Sequence, residues 1–257
     1  MAILDCSSVT KAYGGLLAVN DLSFSIEPGE VFAIVGPNGA GKTTLFDTIS
    51  GLSPATSGTV AFDGESIERM SAHQICRRGL ARTFQTTVTF ASQTVLQNTL
   101  VGAVFGRADG RAALRFERAA VAKALDALEL CGLARKQATP SATLPILDRK
   151  RLMLATALAT EPKLLLLDEP VGGLNARERE EMIALIARVN EAGVTVLMIE
   201  HVIKAVQALA RRMVVLHHGR KIAEGKPVDV LRDARVVDVY LGGAGAGLGA
   251  GSAGEAR

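Results

Sequence analysis

Two groups of polar residues in this sequence have the types and spacing needed to bind and attack a polyphosphate. The first is the run GPNGAGKTT at 36–44, which follows the apolar residues Val31–Val35 and opens a helical pattern. It matches GxxxxGK[ST] in the strand-to-helix context that this motif requires. The glycines let the backbone curl so that its amide groups point inward, and the helix start adds partial positive charge. The run therefore predicts a site for ATP or GTP.

The second group is the acidic pair Asp168 and Glu169, which ends the run Leu164–Leu167. A fully apolar run is typical of a strand buried on both faces of a parallel sheet. Such sheets bind ligands at the carboxyl ends of their strands. We therefore expect Asp168 to hold Mg²⁺ through its water shell, and Glu169 to orient or deprotonate the water that attacks the γ phosphate.

Other side chains complete this chemistry. Lys42 is expected to reach the β and γ phosphates and the Thr43 hydroxyl to hold Mg²⁺. Gln85 can bring its amide to Mg²⁺ or to the attacking water. His201 ends a second buried strand. A lone histidine has many roles. Because adjacent parallel strands deliver their ends to one crevice, however, the position of His201 favours a bond to the γ phosphate. Tyr13 can stack on a purine ring, or it can be a half-buried structural residue.

The resulting site prediction has three parts. The predicted nucleotide-binding residues are Tyr13, Gly36, Pro37, Asn38, Gly39, Ala40, Gly41, Lys42, Thr43 and Thr44. The predicted catalytic residues are Glu169, His201, Gln85 and Lys42. The predicted metal ligands are Thr43, Gln85 and Asp168.

Composition limits the classes of protein to which the chain can belong. Its 257 residues suit one large α/β domain, and a net charge of +3 without a dense basic block argues against nucleic-acid binding. Three scattered cysteines, Cys6, Cys76 and Cys131, favour a reducing compartment and roles as small apolar packers. No apolar run approaches the length of a bilayer span, and residues 1–10 do not resemble a signal peptide. We expect a cytosolic protein that can reach a membrane through a partner.

The flanking patterns predict the elements that position these residues. Further strands are expected at Ile3–Val9, Leu22–Ile26, Thr59–Asp63, Val194–Ile199, Met213–Leu216 and Lys221–Ala223. Helices are expected at Ser71–Gly79, Thr94–Phe105, Arg111–Cys131, Ala176–Asn190, Val202–Ala210 and Pro227–Tyr240. Within the third of these helices, an apolar stripe is expected from Leu114, Val121, Leu125 and Leu128.

The same patterns divide the chain. Residues of about 86–160 are predicted to form a helical insertion, with hinges around Asp109–Gly110 and Thr139–Pro145. The glycine- and alanine-rich residues 242–257 carry too little bulk to bury and are expected to be disordered.

These features together resemble the ATP-binding subunits of ABC transporters, from Ile3 to about Leu241. The shared motifs are GPNGAGKTT at 36–44, Gln85, LLLLDEP at 164–170, GGLN at 172–175 and His201. Strings that look like the branched-chain amino acid importer branch are RTFQ at 82–85, TVLQN at 94–98, ALATEPKLLLLDEP at 157–170 and EGKPVDVLRDARVVDVYLG at 224–242. The resemblance implies an α/β P-loop NTPase fold with a RecA-like parallel core, an antiparallel β subdomain and an inserted α-helical subdomain, in one ABC ATPase domain over 1–241.

One segment departs from the family pattern. Where the family has its LSGGQ signature, which contacts ATP held by the opposite subunit of a dimer, this chain reads Leu144-Pro145-Ile146-Leu147-Asp148. Pro145 has no hydroxyl, and Leu147 is expected to add bulk where a glycine would let the backbone approach a phosphate. The helix that follows is expected to persist, while its contact with ATP is weakened.

The resemblance implies a transport ATPase with three kinds of partner. These are a second ABC ATPase subunit (a different chain being favoured over a second copy), integral membrane permease subunits that dock near Gln85–Val104, and indirectly a solute-binding protein. The chain itself is expected to lie at the inner face of the cell membrane, bound through the permease subunits. A soluble ABC-type ATPase acting on nucleic acid or ribosomes is the alternative, but tandem cassettes and basic arms are missing from the sequence. A GTPase or kinase is a third possibility, and it leaves Gln85 and His201 unexplained.

Overall fold

A computed structural model describes residues 1–86, 88–106 and 118–241. Three predictions concern residues outside these ranges. They are the place of Leu114 in an apolar stripe, the hinge around Asp109–Gly110 and the disorder of the segment 242–257. In chain order, the described strands are β1 (Leu4–Tyr13), β2 (Leu16–Ile26), β3 (Val31–Val35), β4 (Ser57–Phe62), β5 (Glu65–Ser66), β6 (Leu80–Arg82), β7 (Leu164–Asp168), β8 (Thr195–Ile199), β9 (Arg212–His217) and β10 (Arg220–Gly225). The described α-helices are α1 (Lys42–Ile49), α2 (Ala72–Arg77), α3 (Val95–Phe105), α4 (Arg118–Leu130), α5 (Ile146–Leu158), α6 (Ala176–Glu191), α7 (Ile203–Leu209), α8 (Pro227–Val230) and α9 (Ala234–Leu241).

The main sheet runs in the order β10-β9-β3-β8-β7-β6. Its pairings are parallel except for β10, which runs antiparallel to β9. Every residue of β3, β7 and β8 is buried, as expected for parallel strands that are covered on both faces. Asp168 and Ile34 both lie opposite Ile199 in register, so β7, β8 and β3 end at one level.

A second, antiparallel sheet has the order β2-β1-β4-β5. Its apolar face packs with α1 against the main sheet, and Leu22, Phe24 and Ile26 of the predicted strand Leu22–Ile26 are all buried in this face. The β1–β2 hairpin extends further than predicted, since β2 already begins at Leu16 after a Gly14-Gly15 turn. Tyr13 is therefore the last residue of β1 rather than a residue after it.

In the described part of the chain between β6 and β7, the α-helices are α3, α4 and α5, and they pack against one another. The apolar stripe predicted for the helix that contains α4 is wrong in part, because Leu125, one of its members, is exposed. The residues of α4 that are buried are Ala120, Ala124, Ala127 and Leu128. Alanines spaced one helical turn apart allow neighbouring helices to approach closely, so small residues form this contact face where bulky ones were expected.

The carboxyl-terminal piece, predicted as one helix, is two. It breaks between α8 and α9 at Asp233, whose carboxylate accepts a hydrogen bond from the backbone amide of Arg235 at 2.9 Å. An aspartate at this position caps a new helix start. Over the described residues, each helix is too short or too polar to cross a lipid bilayer.

Candidate nucleotide site

The glycine loop at 36–41 connects β3 directly to α1, as its sequence predicts. Gly36 and Gly41 have φ angles of 151° and 99°. A β-carbon on Gly36 would lie 2.2 Å from the carbonyl oxygen of Leu216, and one on Gly41 would lie 2.1 Å from that of Ala18. Both positions therefore require glycine for conformation and for space. The first turn of α1 has no side-chain cap, so its free amide groups can bind an anion.

Lys42 folds back over this loop. Its ammonium group donates to the carbonyl oxygens of Gly36 at 2.7 Å and Pro37 at 2.9 Å. Burial lowers the pKa of Lys42, while the negative charges of Glu169 and Asp168 oppose that shift. The cation is thus held by carbonyl oxygens of the loop itself, within electrostatic range of the two carboxylates.

A cavity of about 500 Å³ opens above the loop. Of the predicted site residues, those that line it are Tyr13, Asn38, Gly39, Ala40, Gly41, Lys42, Thr43, Thr44, Gln85 and Glu169. Gly36 and Pro37, whose carbonyl oxygens accept from the Lys42 ammonium, do not line the cavity, and neither do Asp168 and His201. The structure thus brings together residues from β1, the glycine loop, the segment after β6 and the end of β7.

Three of the predicted catalytic side chains meet at Glu169. The Gln85 amide nitrogen donates to Glu169 Oε2 at 2.8 Å, and His201 Nδ1 lies 3.5 Å from Oε1. Glu169 is partly exposed to the cavity and has a φ of 49°, in the left-handed region. One carboxylate is therefore flanked by an amide and an imidazole at the edge of the cavity.

Asp168 has a different environment. Its side chain is 5% exposed, and its Oδ2 lies 3.3 Å from the guanidinium group of Arg82. Burial raises the pKa of Asp168, and Arg82 acts in the opposite direction. Arg82 also pairs with Asp47 at 2.6 Å and bonds to the Ser50 hydroxyl at 3.1 Å. Sequence reasoning missed this role of Arg82, because the three-residue strand β6 that carries it was not predicted.

The turn between β9 and β10 also belongs to the site and was not predicted. His218 and Gly219 line the cavity. The amide of Gly219 donates to the carbonyl of Ala40 at 3.0 Å, and the carbonyl of Gly219 accepts from the amide of Asn20 at 2.8 Å. This turn therefore fixes the glycine loop to β2.

Tyr13 lies at the rim of the cavity and is 49% exposed. Its hydroxyl bonds to that of Ser53 at 3.1 Å, and the Lys11 ammonium lies 4.9 Å from the centre of the ring. Since Lys11 covers one face of the ring, a base can stack only on the other.

The signature-position segment begins α5 at Ile146, and Pro145 is the N-cap residue without a side-chain cap. The expectation for Leu147 is wrong: its side chain is buried in the core, while Ile146 is 43% exposed. Helical geometry turns consecutive residues to different faces. The bulk added at this surface therefore comes from Ile146. Asp148 is buried and pairs with Lys136 and Arg151.

Comparison with known proteins agrees with this geometry. A family model described as "ABC transporter" matches residues 19–172, and one described as "Branched-chain amino acid ATP-binding cassette transporter" matches residues 220–246. The high-affinity branched-chain amino acid transport ATP-binding protein BraF of Pseudomonas aeruginosa is 38% identical over 93% of this chain and 98% of its own. LivG of Escherichia coli, described in the same words, is 35% identical with the same coverage.

A solved structure supports the same assignment. The ADP conformation of MJ1267, an ATP-binding cassette of an ABC transporter, has a TM-score of 0.85 and 30% identity to this chain, and covers 94% of this chain and 99% of that one. The fold, the glycine loop and the matches over nearly the whole length agree: the chain belongs to the ABC transporter family, as an ATP-binding ATPase subunit of the branched-chain amino acid type.

Proposed function

We propose that this chain hydrolyses magnesium-bound ATP to drive an importer of branched-chain amino acids or related small polar solutes. The observation that carries the hydrolytic part is the meeting of Gln85 and His201 at Glu169, at the edge of the cavity above the glycine loop. The solute class and the direction of transport rest on the names of the relatives BraF and LivG. Because these relatives are described as transport proteins, this proposal is favoured over an ATPase that acts on nucleic acid or ribosomes.

In the proposed mechanism, the amide groups at the start of α1 and the Lys42 ammonium bind the β and γ phosphates. Glu169 accepts a proton from a water molecule, whose oxygen attacks the γ phosphorus while the bond to the ADP oxygen breaks. His201 donates a hydrogen bond to the γ phosphate, and Gln85 holds the Glu169 carboxylate in place. Tyr13 stacks its free face on the adenine.

The oxygen donors of the site fit Mg²⁺. The Thr43 hydroxyl and the Gln85 amide line one cavity, and Asp168 directly precedes Glu169. Hydroxyl, amide and carboxylate oxygens are ligands that Mg²⁺ accepts, and it commonly takes only one or two protein ligands beside phosphates and water. Among the described residues, no group of three or more His, Cys, Asp or Glu side chains forms a complete metal cage. Mg²⁺ would supply charge neutralisation at the β and γ phosphates, held by Thr43, Gln85 and Asp168.

The test of this mechanism is Glu169→Gln, which keeps the shape of the side chain and removes its basicity. We expect ATP binding, measured by calorimetry, to be preserved and most of the hydrolysis to be lost. Near-normal turnover would exclude Glu169 as the residue that activates water. Because the Gln85 and His201 contacts flank Glu169, Gln85→Ala and His201→Ala should also lower turnover.

The proposed docking site for permease subunits is a groove of about 480 Å³ between the main sheet and the helical insertion. Exposed apolar side chains at this groove are Leu52, Phe84, Val88, Phe90 and Phe105. An exposed apolar patch of this kind marks an interaction site. We place a short cytoplasmic helix of the permease here, which would hold the chain at the inner face of the membrane. Phe105→Asp should abolish co-purification with the permease while leaving the fold intact by circular dichroism.

A second ATPase subunit completes the proposed complex, and a different chain is favoured over a second copy. Pro145 and the exposed Ile146 replace the serine and the first glycine that the family places at this surface. Two copies of this chain would present two altered signature surfaces, whereas a different subunit can present an intact one to the glycine loop described here.

This proposal is tested with Pro145→Ser combined with Ile146→Gly in the assembled complex. Leu147 is left unchanged because it is a core residue. A rise in ATP affinity or turnover is expected as the second site is restored. Unchanged rates would contradict a weakened second site.

A further inference from the structure

The backbone at Glu169 has an unusual conformation for a residue with a side chain. Its φ of 49° lies in the left-handed region, which residues other than glycine rarely adopt. Such conformations persist at functional sites when the surroundings hold them in place. The amide of Glu169 donates to the carbonyl of Ile199 at 3.0 Å, and its carbonyl accepts from the amide of Gly172 at 3.1 Å.

Lys150 adds a side-chain contact to the same carbonyl group. It lies on α5, just after the signature position, and its ammonium donates to the Glu169 carbonyl oxygen at 3.0 Å. Burial lowers the pKa of Lys150, and the charges of Glu200 and Glu169 oppose that shift. The contact therefore joins a cation of the helical insertion to the backbone of the residue proposed to activate water.

Glu200 binds the backbone of the residues that follow Glu169. It directly follows β8, has no exposed surface, and its Oε1 accepts from the amide of Val171 at 2.9 Å. Its Oε2 accepts from the amides of His201 at 3.1 Å and Val202 at 3.2 Å. One buried carboxylate thus connects the backbone after Glu169 to the backbone of the histidine that faces Glu169.

We propose that Lys150 and Glu200 are positioning residues for hydrolysis, which together hold the backbone of Glu169–Val171 so that the Glu169 carboxylate meets Gln85 and His201. The proposal rests on the role of Glu169 given above. Neither Lys150 nor Glu200 lines the nucleotide cavity, so each acts through Glu169 or His201. Because Lys150 lies on α5, a displacement of the helical insertion would change the position of Glu169.

The test uses Lys150→Met in the assembled complex, with Lys150→Arg as the conservative variant. We expect kcat to fall about ten- to hundredfold, because a displacement of the order of 1 Å at a reacting group has an effect of that size. The KM for ATP and the Kd of magnesium-bound ATP by calorimetry should stay within twofold, and Lys150→Arg should recover most of the rate. Lys123→Met is the matched control, since Lys123 is a partly exposed lysine of the same insertion that pairs with Glu161, away from the cavity.

Glu200→Gln provides a second measurement. The amide keeps the size of the side chain but replaces one acceptor oxygen with a donor, so a buried amide of Val171, His201 or Val202 loses its partner. A fall in kcat at unchanged ATP affinity is expected here too. Adding Lys150→Met to Glu169→Gln should leave the residual turnover of Glu169→Gln unchanged, because both act through one carboxylate.

The outcomes separate this inference from the proposed function. If Glu169→Gln is inactive but Lys150→Met and Glu200→Gln retain the wild-type kcat, the positioning role is wrong and the role of Glu169 stands. If Glu169→Gln turns over normally, the proposed mechanism itself fails. A parallel loss of rate, ATP affinity and melting temperature in Lys150→Met would assign Lys150 a general structural role and overturn the proposal.

Discussion

Replacing Arg82 with methionine should destabilise the protein by leaving a buried carboxylate unpaired. The Arg82 side chain is 6% exposed and Asp168 is 5% exposed, whereas Asp47 is 32% exposed. Removing one partner of a buried pair costs about 3–5 kcal/mol, while the half-solvated Asp47 contact adds at most about 1 kcal/mol. A loss of about 3 kcal/mol in a chain of this size lowers Tm by roughly 6–12 °C. Arg82→Met should therefore melt several degrees below the wild type in metal-free buffer at neutral pH.

Two further measurements assign this loss to Asp168. Burial already raises the pKa of Asp168, with Arg82 opposing, so removing Arg82 should raise the pKa further. A carboxyl group whose folded pKa lies above its unfolded value stabilises the fold at low pH and loses that contribution as the pH rises through the folded pKa. The deficit of Arg82→Met should shrink as the pH is lowered from 7 towards 5. Asp168→Asn, which removes the buried charge, should restore much of the Tm in the double variant.

Two results would contradict the assignment of this stability loss to the unpaired Asp168. A Tm within about 2 °C of the wild type would correspond to less than about 1 kcal/mol and would mean that Asp168 is solvated or rearranged in solution. A double variant less stable than Arg82→Met alone would show that the charge of Asp168 is not the source of the loss. Arg78→Met, which breaks the exposed pair with Glu65, is the control and should change Tm little.

Other substitutions test the loop and the rim of the cavity. Lys42→Ala should weaken ATP binding by about 1.5–3 kcal/mol, the range for a charge-assisted hydrogen bond, as measured by equilibrium titration. Gly41→Ala should unfold at lower urea concentration than the wild type, because its β-carbon would lie 2.1 Å from the Ala18 carbonyl oxygen at a φ of 99°. Tyr13→Phe should keep the nucleotide affinity, because the hydroxyl group that it removes forms a hydrogen bond with Ser53 and takes no part in stacking. Tyr13→Ala should lower the affinity by about 0.5–1.5 kcal/mol, because stacking needs the ring.

Local patterns predicted the parts of the site that lie next to one another in sequence. The glycine loop is defined by one strand, its turn and one helix start, and Asp168 and Glu169 are defined by the apolar strand before them. His201 needed one tertiary inference, that neighbouring parallel strands end at one edge, and its 3.5 Å approach to Glu169 agrees with it. The residues that escaped prediction are those whose role depends on distant parts of the chain.

Two examples show why. The strand β6 has only three residues, Leu80–Arg82, and is stable because it pairs with β7; three residues carry no periodicity, so the place of Arg82 beside Asp168 could not be derived. Gly219 reaches Ala40 from a hairpin formed almost 180 residues later in the chain, and only the folded sheet brings them together. The sequence identified the altered signature, but the assignment of bulk to Ile146 instead of Leu147 required the orientation of α5.

The register of the main sheet decides whether this chemistry is possible. Ile199 lies opposite both Ile34 and Asp168, which places the glycine loop, Glu169 and His201 immediately beyond one common edge. A slip of one residue between β7 and β8 would move Glu169 by about 3.3 Å along the strand and turn its side chain to the other face. The 3.5 Å approach of His201 would then be lost. The pairing of β7 with β8 over five residues therefore does more than hold the sheet together, because its register sets the distance between Glu169, the proposed base, and His201.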